Sequence, residues 1–99
     1  MILTLTGTNS FLLRDELRKR TAAFVQAYGD FGLERLSAEE TEYPRLLESV
    51  QAMPFLAEKR MVIIDAPAAN KQLAEHLEQF LDAVNEQTDL LLVEPKFDK

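Results

Sequence analysis

Hydrophobic and polar positions follow two alternating rhythms along the chain. Met1 to Leu5 (MILTL) is a short β-rich apolar run that ends at Thr6-Gly7, the pattern of a buried strand and a turn. The period then becomes helical. Asn9 or Ser10 is placed to cap a helix, with Asp15 and Glu16 near its positive end. Leu13, Leu17, Phe24 and Tyr28 form one stripe, and Gly29 suits the position just after the last turn. Leu33 to Leu36 (LERL) is a second strand candidate, supported by its place between two helices. The next helix opens near Tyr43 with Pro44 in its first turn, where a missing N–H costs nothing. Leu46, Leu47, Val50 and Met53 keep its spacing, and Pro54 interrupts it. Arg60 to Asp65 (RMVIID) and Asp89 to Val93 (DLLLV) carry continuous apolar centres, as strands covered on both faces do. Between them, Leu73, Leu77, Phe80, Leu81 and Val84 predict one amphipathic helix over Ala69 to Val84. The order β-α-β-α-β-α-β predicts a three-layer α/β fold with a mainly parallel sheet of about four strands; strand order is not readable from the pattern.

Composition narrows the chemistry. The chain has 99 residues, 46% hydrophobic and 28% charged, which fits one soluble domain over residues 1–99. Eleven Lys and Arg against seventeen Asp and Glu leave a formal net charge of −6, so phosphate backbones are repelled at long range. Contact with nucleic acid is therefore expected only through a protein partner or a local basic patch. The absence of Cys excludes disulfides, thiol nucleophiles and Cys-ligated metals, and one His excludes multi-His sites. The first residues do not form a signal peptide, and apolar runs such as Met61 to Ile64 fall far short of the ~20 residues that span a bilayer. A cytoplasmic protein without membrane association is expected.

Ligands of such folds sit at the carboxyl ends of strands. The first of these ends reads Gly7-Thr8-Asn9-Ser10, with one Gly and no Lys, so it lacks both the backbone approach and the charge of a phosphate-cradling loop. Ile64-Asp65 has the form of a strand whose carboxylate reaches a nucleotide-bound Mg²⁺. Asp65 either solvates its strand exit or centres a phospho-acceptor or nucleotide-binding site. The second alternative calls for acids near the first strand, where Thr6, Gly7 and Thr8 stand. His76 falls on the solvent side of its helix with no partner named by spacing. Arg14, Arg18, Lys19 and Arg20 alternate with Asp15 and Glu16, as a solvated helix face does. No catalytic residue, cofactor or metal ligand is assigned.

Gln51 to Arg60 (QAMPFLAEKR) departs from plain core patterning. Pro54 stops a helix, and two large apolar residues then stand side by side in a short connection, where polar residues are usual. Phe55 and Leu56 either plug the end of the sheet or anchor the chain in a partner's groove. The opening MILTLTGTNSFLLRDELR, then LERLSAEE, MPFLAEKRMVIID and the closing LLLVEPKFDK, in that order and spacing, resemble the amino-terminal domain of the delta subunit family of bacterial DNA polymerase III. The resemblance covers essentially the whole chain. It implies a RecA-like domain related to AAA+ modules with a degenerate phosphate loop. It also implies a non-catalytic clamp-loader subunit of a DNA-directed DNA polymerase complex that binds and helps open the sliding clamp. By the same resemblance Gln51 is the polar lead of the clamp-binding motif and Phe55 and Leu56 are its apolar pair, with Met53 and Pro54 between. The pair reads Phe-Leu where the strongest motifs read Leu-Phe, and Pro54 precedes it. Other loader subunits are expected to meet regions beyond this chain, DNA only through the complex, and further domains of the family to follow Phe97-Asp98-Lys99.

Overall fold

The computed structural model describes residues 1–95; Phe97-Asp98-Lys99 lies outside the described residues. Strands β1 (Ile2–Gly7), β2 (Leu33–Ser37), β3 (Arg60–Asp65) and β4 (Thr88–Pro95) form one sheet in the order β1-β4-β3-β2, with every pairing parallel. Helix α1 (Ser10–Tyr28) links β1 to the far edge of the sheet, and α2 (Tyr43–Gln51) leads back to β3. A 3₁₀ turn (Pro67–Ala69), α3 (Lys71–Glu75) and α4 (Leu77–Asp82) then lead to β4. This reversal of direction places α1 on one face and the other helices on the opposite face, the layering that right-handed crossovers produce.

The two cores show why the central strands are continuously apolar. Leu13, Leu17 and Phe24 of α1 pack on Met61, Ile63, Leu91 and Val93. Leu46 and Val50 of α2, Leu73 of α3 and Phe80 of α4 pack on Val62, Ile64, Leu90 and Leu92. Successive residues of β3 and β4 thus alternate between two covered faces.

The expected elements are present, with three differences. β1 is a half-buried edge strand: Leu3 and Leu5 pack towards α1, whereas Thr4 and Thr6 are exposed, because no helix covers its other face. The long helix predicted over 69–84 is broken at His76, which leaves the helical conformation at φ −117° and ψ 32°. Leu73 and Phe80 stay buried while Leu77 is turned outward. Helix α2 ends at Gln51, so Met53 does not extend its buried stripe. Ala52 is already extended at ψ 140°, and Pro54 disfavours helical backbone at the residue before it.

At the start of β4, Thr88 is fully buried and its hydroxyl finds no hydrogen-bond partner among the described residues. Thr88→Val keeps the shape and removes the desolvated hydroxyl. It is expected to stabilise the fold by about 1 kcal/mol, read as a higher midpoint in a thermal melt; a lowered midpoint would show that the hydroxyl is satisfied.

Candidate functional site

The parallel sheet has two functionally different ends. Strand-to-helix connections lie at the carboxyl end and helix-to-strand connections at the amino end. At the carboxyl end, where phosphates approach the first helix in related architectures, protein groups take up the available positions. Asn9 Oδ1 accepts hydrogen bonds from the N–H groups of Phe11 and Leu12, both at 3.1 Å, and so caps α1. The Arg35 guanidinium meets Asp65 in a two-point pair, with Nε–Oδ2 at 2.6 Å and Nη2–Oδ1 at 2.9 Å. The hydrogen-bonded carboxylate pushes the guanidinium above its already high value, so Arg35 stays charged at neutral pH. Glu94 Oε1 accepts from the Ala68 N–H at 2.8 Å. This geometry gives Asp65 a structural partner.

The amino end carries the segment singled out by its composition. Gln51 is exposed at the last position of α2, and Ala52 closes the helix by donating its N–H to Glu48 O at 3.1 Å. Met53 is 73% exposed, Phe55 80% and Leu56 71%, while Pro54 is half-buried beneath them. Neither member of the apolar pair is sealed under a helix. Leu56 adopts φ +64°, a left-handed backbone that costs a branched residue about 1–2 kcal/mol. Such conformations persist where surrounding structure holds them.

Both stems of the loop are held. Leu46 and Val50 fix the end of α2 in the core, and the Asn85 N–H donates to Val50 O at 2.8 Å. On the other stem, Lys59 Nζ pairs with nearly buried Asp89 at 3.0 Å and lies 5.7 Å from the Tyr28 ring centre. Arg60 donates to Ser49 O at 3.1 Å and to Glu34 Oε1 at 3.2 Å. Glu34 also accepts from the Ser49 hydroxyl and from Arg45. Burial opposes ionisation of Glu34, but the hydrogen bonds from Ser49 and Arg45 outweigh it and hold the carboxyl below its usual value of 4.5. One carboxylate thus joins β2, α2 and β3 directly under the loop.

A family model described as "DNA polymerase III, delta subunit" matches residues 3–99. The chain belongs to this delta subunit family. Among solved structures, the Bacillus subtilis DNA clamp loader delta protein matches with a TM-score of 0.77 and 23% identity. The match covers 99% of this chain and 32% of that one, so the delta-family chain described here spans about a third of its length. The likeness bears out the three-layer RecA-like fold. No curated protein matches the chain. Among the described residues, no helix is long and apolar enough to cross a membrane, and no group of three or more acidic or histidine side chains is placed to hold a metal ion.

In this delta-family chain Gln51 ends α2 and Met53, Pro54, Phe55 and Leu56 follow it on one connection, with the three largest apolar side chains facing solvent. Sequence inspection did not find Phe31. It is 74% exposed in the connection between α1 and β2, at the same end of the sheet. A large aromatic beside Gly29 and Gly32, outside any apolar period, was the signal available for it.

Proposed function

We propose that this chain is the amino-terminal, non-catalytic module of a clamp-loader delta subunit, and that it binds the sliding clamp and helps open it during replication. Phe55 and Leu56 enter an apolar pocket on the clamp, Met53 and Pro54 line its rim, and Gln51 hydrogen-bonds beside them. The observation that carries this is one loop presenting Phe55 and Leu56 to solvent at 80% and 71% exposure, on stems fixed by core and ion pairs. A docking element gains from such preorganisation, because little ordering entropy remains to be lost on binding. The three-layer body serves as a rigid lever. It biases the clamp towards an open interface only in so far as the open form binds this loop more tightly than the closed one. The other loader subunits are met through further parts of the delta subunit, and DNA is reached through the assembled complex.

The pairing of Asp65 with Arg35 at 2.6 and 2.9 Å speaks against an acceptor or nucleotide site there, since the carboxylate already has a charged partner. Binding of purified sliding clamp to the full-length delta subunit, compared between wild type and the Phe55→Ala/Leu56→Ala variant, tests the assignment. Equal affinities would reject these residues as the anchors.

A further inference from the structure

Ten large apolar residues are exposed among the described residues, and Tyr28, Phe31, Met53, Phe55 and Leu56 account for half of them. All five lie on the two helix-to-strand connections at the amino end of β2 and β3 or on the helix end leading into them. These strands are neighbours, with Leu33 opposite Met61, so the two connections enter the sheet side by side. They also touch. Met61 N–H donates to Gly32 O at 2.8 Å, and a Cβ on Gly32 would collide with the Lys59 carbonyl oxygen. Only glycine permits this approach, and Phe31 is the residue next to it.

Chain dimensions bound the separation. Phe55 is four positions from Lys59, a span of at most about 14 Å. Phe31 lies one residue from Gly32, so the Phe31 and Phe55 backbones are within roughly 20 Å. A standard interface covers about 800 Å² on each partner, a disc roughly 30 Å across. A partner surface of that width can therefore cover Phe31 and Phe55 together, with its centre between them.

Energetics require such an addition. Burying two side chains of this size gives only a small surplus over the translational and rotational freedom lost on association. The pair alone leaves little net affinity. Aromatic and Met side chains are also the residues enriched in interface centres.

We propose that Phe31 is a second clamp anchor: the connection between α1 and β2 forms one continuous docking surface with the Met53 to Leu56 loop and rests on an apolar shelf of the sliding clamp beside the pocket that takes Phe55 and Leu56. This rests on the clamp-binding function proposed above. Tyr28, its ring against Lys59, flanks the surface at the end of α1.

The test measures dissociation of purified sliding clamp from the full-length delta subunit. Phe31→Ala is expected to weaken binding about tenfold, mainly through faster dissociation, and Phe31→Leu to retain most of the affinity. Phe11→Ala removes an equally exposed aromatic (70%) at the opposite end of the sheet and is expected to leave binding unchanged. Unchanged binding by Phe31→Ala, with weakened binding by Phe55→Ala/Leu56→Ala, overturns the second anchor and leaves the first in place. If the double variant binds as wild type does, both fall. Equal losses in Phe31→Ala and Phe11→Ala overturn it as general stickiness. A concentration-dependent dimer abolished by Phe31→Ala, with clamp affinity intact, assigns the surface to a second copy of this chain and overturns it as well.

Discussion

Replacing Phe55 and Leu56 together by Ala is expected to lower affinity for the sliding clamp about a thousandfold. In the proposed mode each residue is an anchor whose truncation costs on the order of 2 kcal/mol, and about 4 kcal/mol corresponds to roughly three powers of ten in Kd. The same change should leave folding almost untouched. Both side chains are mostly in solvent and belong to neither core cluster, and substitutions of that kind fall within about 0.5 kcal/mol. The prediction is therefore a separation of two measurements, calorimetric or surface-based affinity against a thermal melt. A variant that melted well below wild type would show that the pair stabilises the domain, and its loss of binding would then say nothing about docking. An order-of-magnitude loss shared between the single variants, with unequal contributions, would locate the deeper anchor. Phe55 buries more area than Leu56 when both are fully covered, so it is expected to carry the larger part.

The fold was legible where the hydrophobic pattern has one meaning. RMVIID and DLLLV are apolar on successive residues, and a strand covered on both faces is what such a run builds. The weak LERL segment was placed by topology, because a strand is needed between two helices, and it forms β2. Edge position was less legible. Leu3-Thr4-Leu5-Thr6 does alternate, the mark of a strand with one solvated face, but a run opening with Met1-Ile2-Leu3 also satisfies the pattern of a buried strand. The break at His76 left no comparable mark, since Leu73, Leu77, Phe80 and Leu81 fit one helix and only the tertiary position of Leu77 shows the turn outward.

The candidate site divides in the same way. Gln51 to Leu56 stood out because proline followed by two adjacent large apolar residues contradicts what a connection usually carries. Whether those residues plug the sheet or face solvent depends on packing around Pro54 and on the left-handed backbone of Leu56, neither of which a hydrophobic period encodes. Phe31 is more than twenty positions away in the chain and becomes a neighbour only through the β2–β3 pairing. Asp65 illustrates the reverse case. An apolar run ending in Asp fits both a metal-reaching carboxylate and a structural one, and its cross-strand partner Arg35 emerges only once β2 and β3 are in register at Arg35–Ile63 and Ser37–Asp65.

Removing the Glu34 carboxylate is expected to produce the second large effect, this time on stability. Glu34 receives Arg60, Arg45 and the Ser49 hydroxyl. The side chain of Arg60 is only 16% exposed, so Glu34→Ala strands a largely buried cation and an inward hydroxyl. Hydrogen bonds to charged groups contribute about 1.5–3 kcal/mol; because Glu34 keeps some contact with water, the loss should lie near 2–3 kcal/mol and lower the melting midpoint by on the order of 10 °C. Glu34→Gln is the informative companion, since it retains acceptor capacity without the charge. The native carboxyl is held below 4.5, so its stabilising contribution is fully present above the unfolded value and is lost as pH falls through the lower folded one. Wild type should therefore lose stability more steeply than Glu34→Gln as pH falls below 4.5. Asp15, held low by its hydrogen bonds from Arg18 and Lys19, contributes to acid sensitivity in both proteins and cancels from the comparison. Parallel acid melts for wild type and Glu34→Gln would mean that the carboxylate is not ionically coupled to Arg45 and Arg60. The stems of the Met53 to Leu56 loop would then be held by α2 packing and the Lys59–Asp89 pair alone.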